Sequence, residues 1–139
     1  MARLWAKTAN FDSISVGDQL PVLIKWDTAQ SINRFLTLSH ESQESDKAPG
    51  DGLVPRQAVV AYITELLGKG FPIDGVKAKG SRLDVSITGP IKPDDTISYT
   101  GEVVAKREEN GLRLVECSIV AENQENQVVA RAVAVVALG

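Results

Sequence analysis

The sequence predicts a two-layer α+β fold in which one apolar helix is wrapped by a curved antiparallel sheet. Three observations carry this. A nearly all-apolar helical segment spans Pro55 to Leu67, alternating strand-like segments follow from Val76 to Leu138, and turn signals separate those segments. The 139 residues suffice for one domain with a core, read here as a single domain over 1–139.

Residues 11–20, FDSISVGDQL, form an opening segment in which Val16-Gly17-Asp18 is a turn signal. Leu20 to Trp26 reads as a first strand, with Pro21 keeping its start at an edge. Asp27 or Thr28 can cap a short amphipathic helix through Ser31 to Leu38, whose apolar positions are Ile32, Phe35, Leu36 and Leu38. The polar stretch Ser39 to Gly52 has no apolar period and ends in Pro and Gly, so it is a loop. Unstructured loops of such length are often functional.

Pro55 suits the first turn of the next helix, where its missing N–H costs nothing. Val59, Tyr62, Ile63, Leu66 and Leu67 follow the helical period, and Ala58, Val60 and Ala61 widen the apolar stripe. A helix apolar on most sides is expected to be enclosed on most sides, ending at Gly68 and Gly70.

In the first strand beyond it, Leu83, Val85 and Ile87 alternate with Arg82, Asp84 and Ser86, predicting one dry face and one wet. Lys92-Pro93-Asp94-Asp95 makes a turn, Ile97 to Lys106 a strand, and Asn110-Gly111 a hairpin signature. Leu112 to Ala121 returns, with Val115, Cys117, Ile119 and Ala121 on one face. Gln127 to Leu138 is apolar on both faces, which predicts a central strand or one at a subunit contact.

Composition narrows the function. A net charge of -3 gives no surplus of Lys and Arg for nucleic acid. The longest apolar run, Val133 to Leu138, is too short to cross a bilayer, and the opening residues lack a secretory signal, so a cytoplasmic protein is expected. With one Cys and one His, no ordinary zinc site is expected, and no cofactor is indicated. Cys117, inside VECSIVA, reads as a small packed apolar group. Nucleophile-elbow, P-loop and dinucleotide signatures do not occur.

The helix followed by a meander, with FDSISVGDQLP near the start, GPIKPDDTISYTGEVV in the middle and the TGEVVAKREENGLRLVECSIVAENQENQVVARAVAVVAL ending, resembles the hot-dog superfamily. Within it, GPIKPDDTISYTGEVV is similar to the P-V-x-P-G-D-T-L strand and turn of the MaoC-like acyl dehydratases. The resemblance covers nearly the whole chain. It implies a dimer whose sheets join edge to edge and an acyl thioester substrate on coenzyme A or acyl carrier protein. It also implies reversible hydration of a trans-2-enoyl thioester to the (R)-3-hydroxyacyl form. In that family an Asp and a His before the helix, in a G-D-x-N-P-x-H pattern, divide the proton transfers. A backbone N–H in an A-H-G turn at the helix start polarises the thioester carbonyl.

Here that loop departs from the pattern. Counted from Ser39, the family's Asp position holds Glu41 and its His position holds Asp46. The A-H-G turn becomes Pro55-Arg56-Gln57, and the loop to the helix is shorter. Three readings stay open. A rebuilt site uses Glu41 and Asp46 as a proton-sharing carboxylate pair tuned by His40 or Arg56. A silent subunit pairs with an active hot-dog partner as a hetero-oligomer, whereas the chain on its own is expected to form at least a homodimer. A third possibility is a binding protein that holds the thioester without turning it over. The residues expected at a site are therefore Glu41, Asp46 and His40 for proton transfer, with Arg56, Gln57 and Gly52 for substrate binding. Against them stand plainer readings of His40, Glu41 and Asp46 as solvated loop side chains, Tyr62 as core and Glu65 as an exposed helix residue. Arg56 at a helix start faces an unfavourable dipole, which points to a role such as pairing with Asp51 or an anion.

Overall fold

The computed structural model describes residues 3–30, 32 and 53–138. Its elements are β1 (Leu23–Trp26), α1 (Arg56–Gly70), the short α2 (Ile73–Val76), β2 (Arg82–Ile87), β3 (Thr96–Glu109), β4 (Leu112–Glu122) and β5 (Val128–Ala137). The strands form one antiparallel sheet in the order β1-β3-β4-β5-β2, with α1 packed on its inner face.

The hairpin signature is realised. Asn110 and Gly111 both take positive φ, 52° and 80°, the backbone that lets a tight turn follow the strands' twist. Alternation on β4 holds as well, with Val115, Cys117, Ile119 and Ala121 all buried. β5 lies between β4 and β2, which explains its apolar pattern, although Val133 is exposed on the outer face. The dry face expected of β2 is only partly dry: Val85 is buried, Leu83 is half-buried and Ile87 is exposed, because β2 is the last strand of the sheet.

Two expectations about α1 are corrected. The helix runs to Gly70, past the expected end at Leu67, and Phe71, fully buried, closes it by donating its N–H to Leu67 O at 2.8 Å. Gly68 and Gly70 both stay helical, and at Gly70 the corner has room for little else. A Cβ on Gly70 would clash with the Leu20 side chain. Nor is the helix enclosed on most sides. Ala58, Val59, Ile63, Leu66 and Leu67 are buried, but Gln57, Ala61, Glu65 and Lys69, spaced four apart, form an exposed stripe. The stretch from Val76, expected to be strand, finishes α2 and a turn before β2 begins at Arg82.

The opening segment adds to the core. Gly17 takes φ 99° in the expected turn, and the Asp18 carboxylate accepts the Ser15 N–H at 2.8 Å. Helical backbone at Ala29, Gln30 and Ile32, with the Ile32 N–H donated to Thr28 O at 3.0 Å, starts where Asp27 or Thr28 was expected to cap; the rest of the expected 31–38 helix lies outside the described residues. Leu20 is wedged between the end of α1 and β3. One of its methyls faces Gly70 and the other stands 2.5 Å from where a Cβ on Gly101 would be, with Ile119 at 3.1 Å on the far side.

Gly101→Ala therefore overpacks a site with no slack and is expected to lower stability by ~1–3 kcal/mol. Leu20→Ala is expected to cost ~2–5 kcal/mol. The double variant should be less destabilised than the sum. Urea midpoints of the four proteins check this, and strict additivity would refute the wedge.

Candidate functional site at the start of the long helix

Polarity at the N-terminus of α1 follows from its sequence. Pro55 precedes the helix in extended backbone, φ -77° and ψ 158°, and caps with no side chain. Its carbonyl accepts the Ala58 N–H at 3.0 Å. Among the described residues, no carboxylate stands in the first turn and no group accepts the N–H of Arg56 or Gln57. Two donors and the positive end of the helix dipole therefore point out of the core beside the exposed Gln57 side chain. The approach is fixed by Val54, whose N–H donates to Ile91 O at 2.9 Å and ties the helix start to the β2–β3 connection.

Arg56 turns back from this end. Its guanidinium donates to Val85 O at 2.8 Å, so its charge is fixed over β2. Of the residues expected at a site, Arg56 and Gln57 are thus neighbours at one helix start. His40, Glu41, Asp46 and Gly52 lie outside the described residues, as does Asp51.

A polar cluster lies further along the same helix. The Tyr62 hydroxyl donates to the Asp27 carboxylate, 2.8 and 3.0 Å from its two oxygens. Lys25 Nζ lies 4.9 Å above the Tyr62 ring and pairs with Glu65 at 2.9 Å. Tyr62 meets Tyr99 edge to face at 6.0 Å. Asp27 also accepts the Asp94 N–H on its backbone carbonyl at 2.7 Å, so it joins the end of β1, α1 and the β2–β3 turn. Burial, then the hydrogen bond to Asp27, pushes the Tyr62 phenol well above its ordinary range, and burial does the same to Tyr99. Sequence reasoning saw Tyr62 as core, Asp27 as a cap and Glu65 as exposed, but not their union. Asp27 and Tyr62 are 35 positions apart, and no local spacing links them.

Hollows open on the described surface. One of about 330 Å³ lies on the outer face among Arg3, Val22, Thr100, Glu102 and Val120. A polar one of about 320 Å³ lies among Gly89, Lys92, Asp95, Gln124 and Glu125. Another, about 170 Å³, lies beside α1 and β2. None of these is lined by Gln57. In the second hollow, hydrogen bonds from the Gln124 side chain and then the Lys92 N–H hold the Asp95 carboxyl below its usual range. Cys117 is buried and its thiol is pushed up to about 12 by burial, so it packs rather than attacks. Among the described residues no acidic, His or Cys cluster is built to hold a metal ion, and no helix is long and apolar enough to cross a membrane.

Comparison with solved structures identifies the architecture. The MaoC-like dehydratase from Rhodospirillum rubrum superposes with a TM-score of 0.71 at 21% identity, covering 94% of this chain and 96% of that one. The (R)-hydratase from A. caviae involved in PHA biosynthesis gives 0.66 at 20% identity, over 91% and 98%. A chain of the ChsH1–ChsH2 complex from Mycobacterium tuberculosis gives 0.64 at 17% identity, over 90% and 98%. This chain therefore has the hot-dog fold, and its structural neighbours include a MaoC-like dehydratase and (R)-hydratases. No family model matches its sequence, and neither does any curated protein.

Tyr62→Phe is expected to cost ~1–3 kcal/mol, because Asp27 loses a donor at a half-buried site. The raised groups also set an alkaline limit. Cys117 and the two tyrosines hold their protons more tightly folded than unfolded, so their contribution is full below the unfolded values, 9.0 for Cys117 and 10.0 for the tyrosines, and is lost as pH rises. Denaturation midpoints should fall steadily from pH 9.0 upward, with a shallower fall in Cys117→Ala. A flat profile from there to pH 12 would contradict it.

Proposed function

We propose that the chain is a hydratase or dehydratase of the MaoC-like kind, acting on enoyl or 3-hydroxyacyl thioesters of coenzyme A or acyl carrier protein through an altered catalytic loop. The observation that carries this reading is the open start of α1, in a fold shared from end to end with a MaoC-like dehydratase and an (R)-hydratase. The N–H of Gln57 is the oxyanion donor. Held at a helix start with no competing acceptor among the described residues, it stabilises the charge that develops on the thioester oxygen as water adds to C3. In the hydration direction, one carboxylate of the Glu41–Asp46 pair takes a proton from water as the oxygen bonds to C3, and the other returns a proton to C2. His40 tunes the pair. Arg56, held on Val85 beside this helix start, and Gly52 complete the substrate-binding set.

A second reading has its own support. The family's His position holds Asp46, and the A-H-G turn is Pro55-Arg56-Gln57. A chain so altered fits a silent or thioester-binding subunit assembled with an active hot-dog partner; the ChsH1–ChsH2 neighbour is itself a complex of two chains.

The purified chain, given crotonyl-coenzyme A, is expected to bleach the enoyl-thioester ultraviolet absorbance. Glu41→Gln and Asp46→Asn should each lower turnover by ~10²–10⁴-fold. Turnover unchanged in both variants would refute the carboxylate pair. No turnover alone, but turnover on adding a second hot-dog subunit, would favour the silent-subunit reading.

A further inference from the structure

On the outer face of the sheet, four polar side chains stand in one row. Arg3 pairs with Gln19, Gln19 with Glu102, and Glu102 with Ser118 across neighbouring segments, and directly opposed residues share a face. Thr100 pairs with Val120 in the next outward row, and Val22 adjoins them. The hollow of about 330 Å³ lies over both rows. That volume is at the small end of the range of ligand sites, about 300–1,000 Å³, so its occupant is small.

The two charges of the row do not neutralise each other. Gln19 stands between them, which sets the backbones of Arg3 and Glu102 two strand spacings apart, about 10 Å. The Arg3 guanidinium donates to Leu20 O at 3.3 Å, on the wall of the hollow, and most of its N–H groups stay open. Among the described residues no ion pair or hydrogen bond engages the Glu102 carboxylate or the hydroxyls of Thr100 and Ser118. One wall of the hollow therefore offers donors with positive charge, another offers an anionic acceptor, and the second row offers apolar surface.

We propose that this hollow binds a free α-amino acid with an apolar side chain. Its carboxylate accepts hydrogen bonds from Arg3, and its ammonium donates to Glu102, both strengthened by charge. Its side chain lies on Val22, Val120 and the methyl of Thr100. Other ligand classes satisfy only part of this lining. A phosphate group meets Arg3 but is opposed by Glu102, and a metal cation meets Glu102 but is opposed by Arg3. An uncharged sugar leaves both charges without a counterpart. Bound there, the amino acid joins the opening segment at Arg3 to β3 at Glu102. The site lies on the face of the sheet away from α1 and makes no use of the thioester site.

Isothermal titration of the purified chain with L-leucine, N-acetyl-L-leucine and L-leucinamide tests this without altering the protein. Leucine should bind saturably. The acetylated compound, which lacks the ammonium, and the amide, which lacks the carboxylate, should each bind at least ~tenfold more weakly, since each loses a charged hydrogen bond. Arg3→Ala and Glu102→Gln change exposed residues, and each should weaken leucine by a similar factor with the circular dichroism spectrum unchanged. Amide resonances should move at Thr100, Glu102 and Ser118 on addition of leucine. No saturable leucine binding, derivatives that bind as tightly as leucine, or shifts that leave these three amides in place would each overturn the proposal.

Discussion

The burial of one face of α1 against the inner face of the sheet is the interaction on which the rest depends. By itself this helix would be weak: it carries Gly68 and Gly70, the β-branched Val59, Val60, Ile63 and Thr64, and no side-chain cap at Pro55. It forms because Val59, Ile63, Leu66 and Leu67 enter one core with Val85, Tyr99, Val103, Cys117, Ile119 and Val136. Each fully buried side chain of that size contributes about 1.5–3 kcal/mol. Leu20 and Phe71 lock the far end of the helix, where Gly70 and Gly101 leave just the space that Leu20 fills.

Fixing the helix by its apolar face also fixes its polar end. The start of α1 stands beside the β2–β3 connection through Val54 and Ile91, and the N–H groups of Arg56 and Gln57 meet no acceptor among the described residues. Arg56 then has a single short reach to β2, where it satisfies an outward carbonyl that solvent or another strand would otherwise meet. One side chain thus links the helix start to the sheet edge. At mid-helix Asp27 and Tyr62 tie the end of β1 to the same frame.

Much of this was legible in the sequence where a local rule decides it. The Asn110-Gly111 turn, the alternation of β4 and the two-sided apolarity of β5 are set by backbone preference and period, and they appear where those rules put them. The helix was legible as an element but not in its limits. Apolar residues at Val60 and Ala61 suggested enclosure on most sides, whereas Ala61 lies on the exposed stripe with Gln57 and Glu65. Its end at Gly70 depends on Leu20, fifty positions earlier, which no window around the helix contains. The bond from Arg56 to Val85 and the Asp27–Tyr62 pair are likewise products of topology. Of the candidate site, the sequence located Arg56 and Gln57 at the helix start, while the loop residues His40, Glu41, Asp46 and Gly52 lie outside the described residues.

The central claim is that the start of α1 receives a thioester carbonyl. Amide resonances followed during titration with a saturated acyl-coenzyme A, which binds as the substrate does but cannot be hydrated, test it most directly. The account predicts that the Gln57 N–H moves downfield at saturation as it gains an acceptor, together with Arg56, while amides at the far end near Gly70 stay in place. Saturable binding that leaves the Arg56 and Gln57 amides unmoved would contradict it.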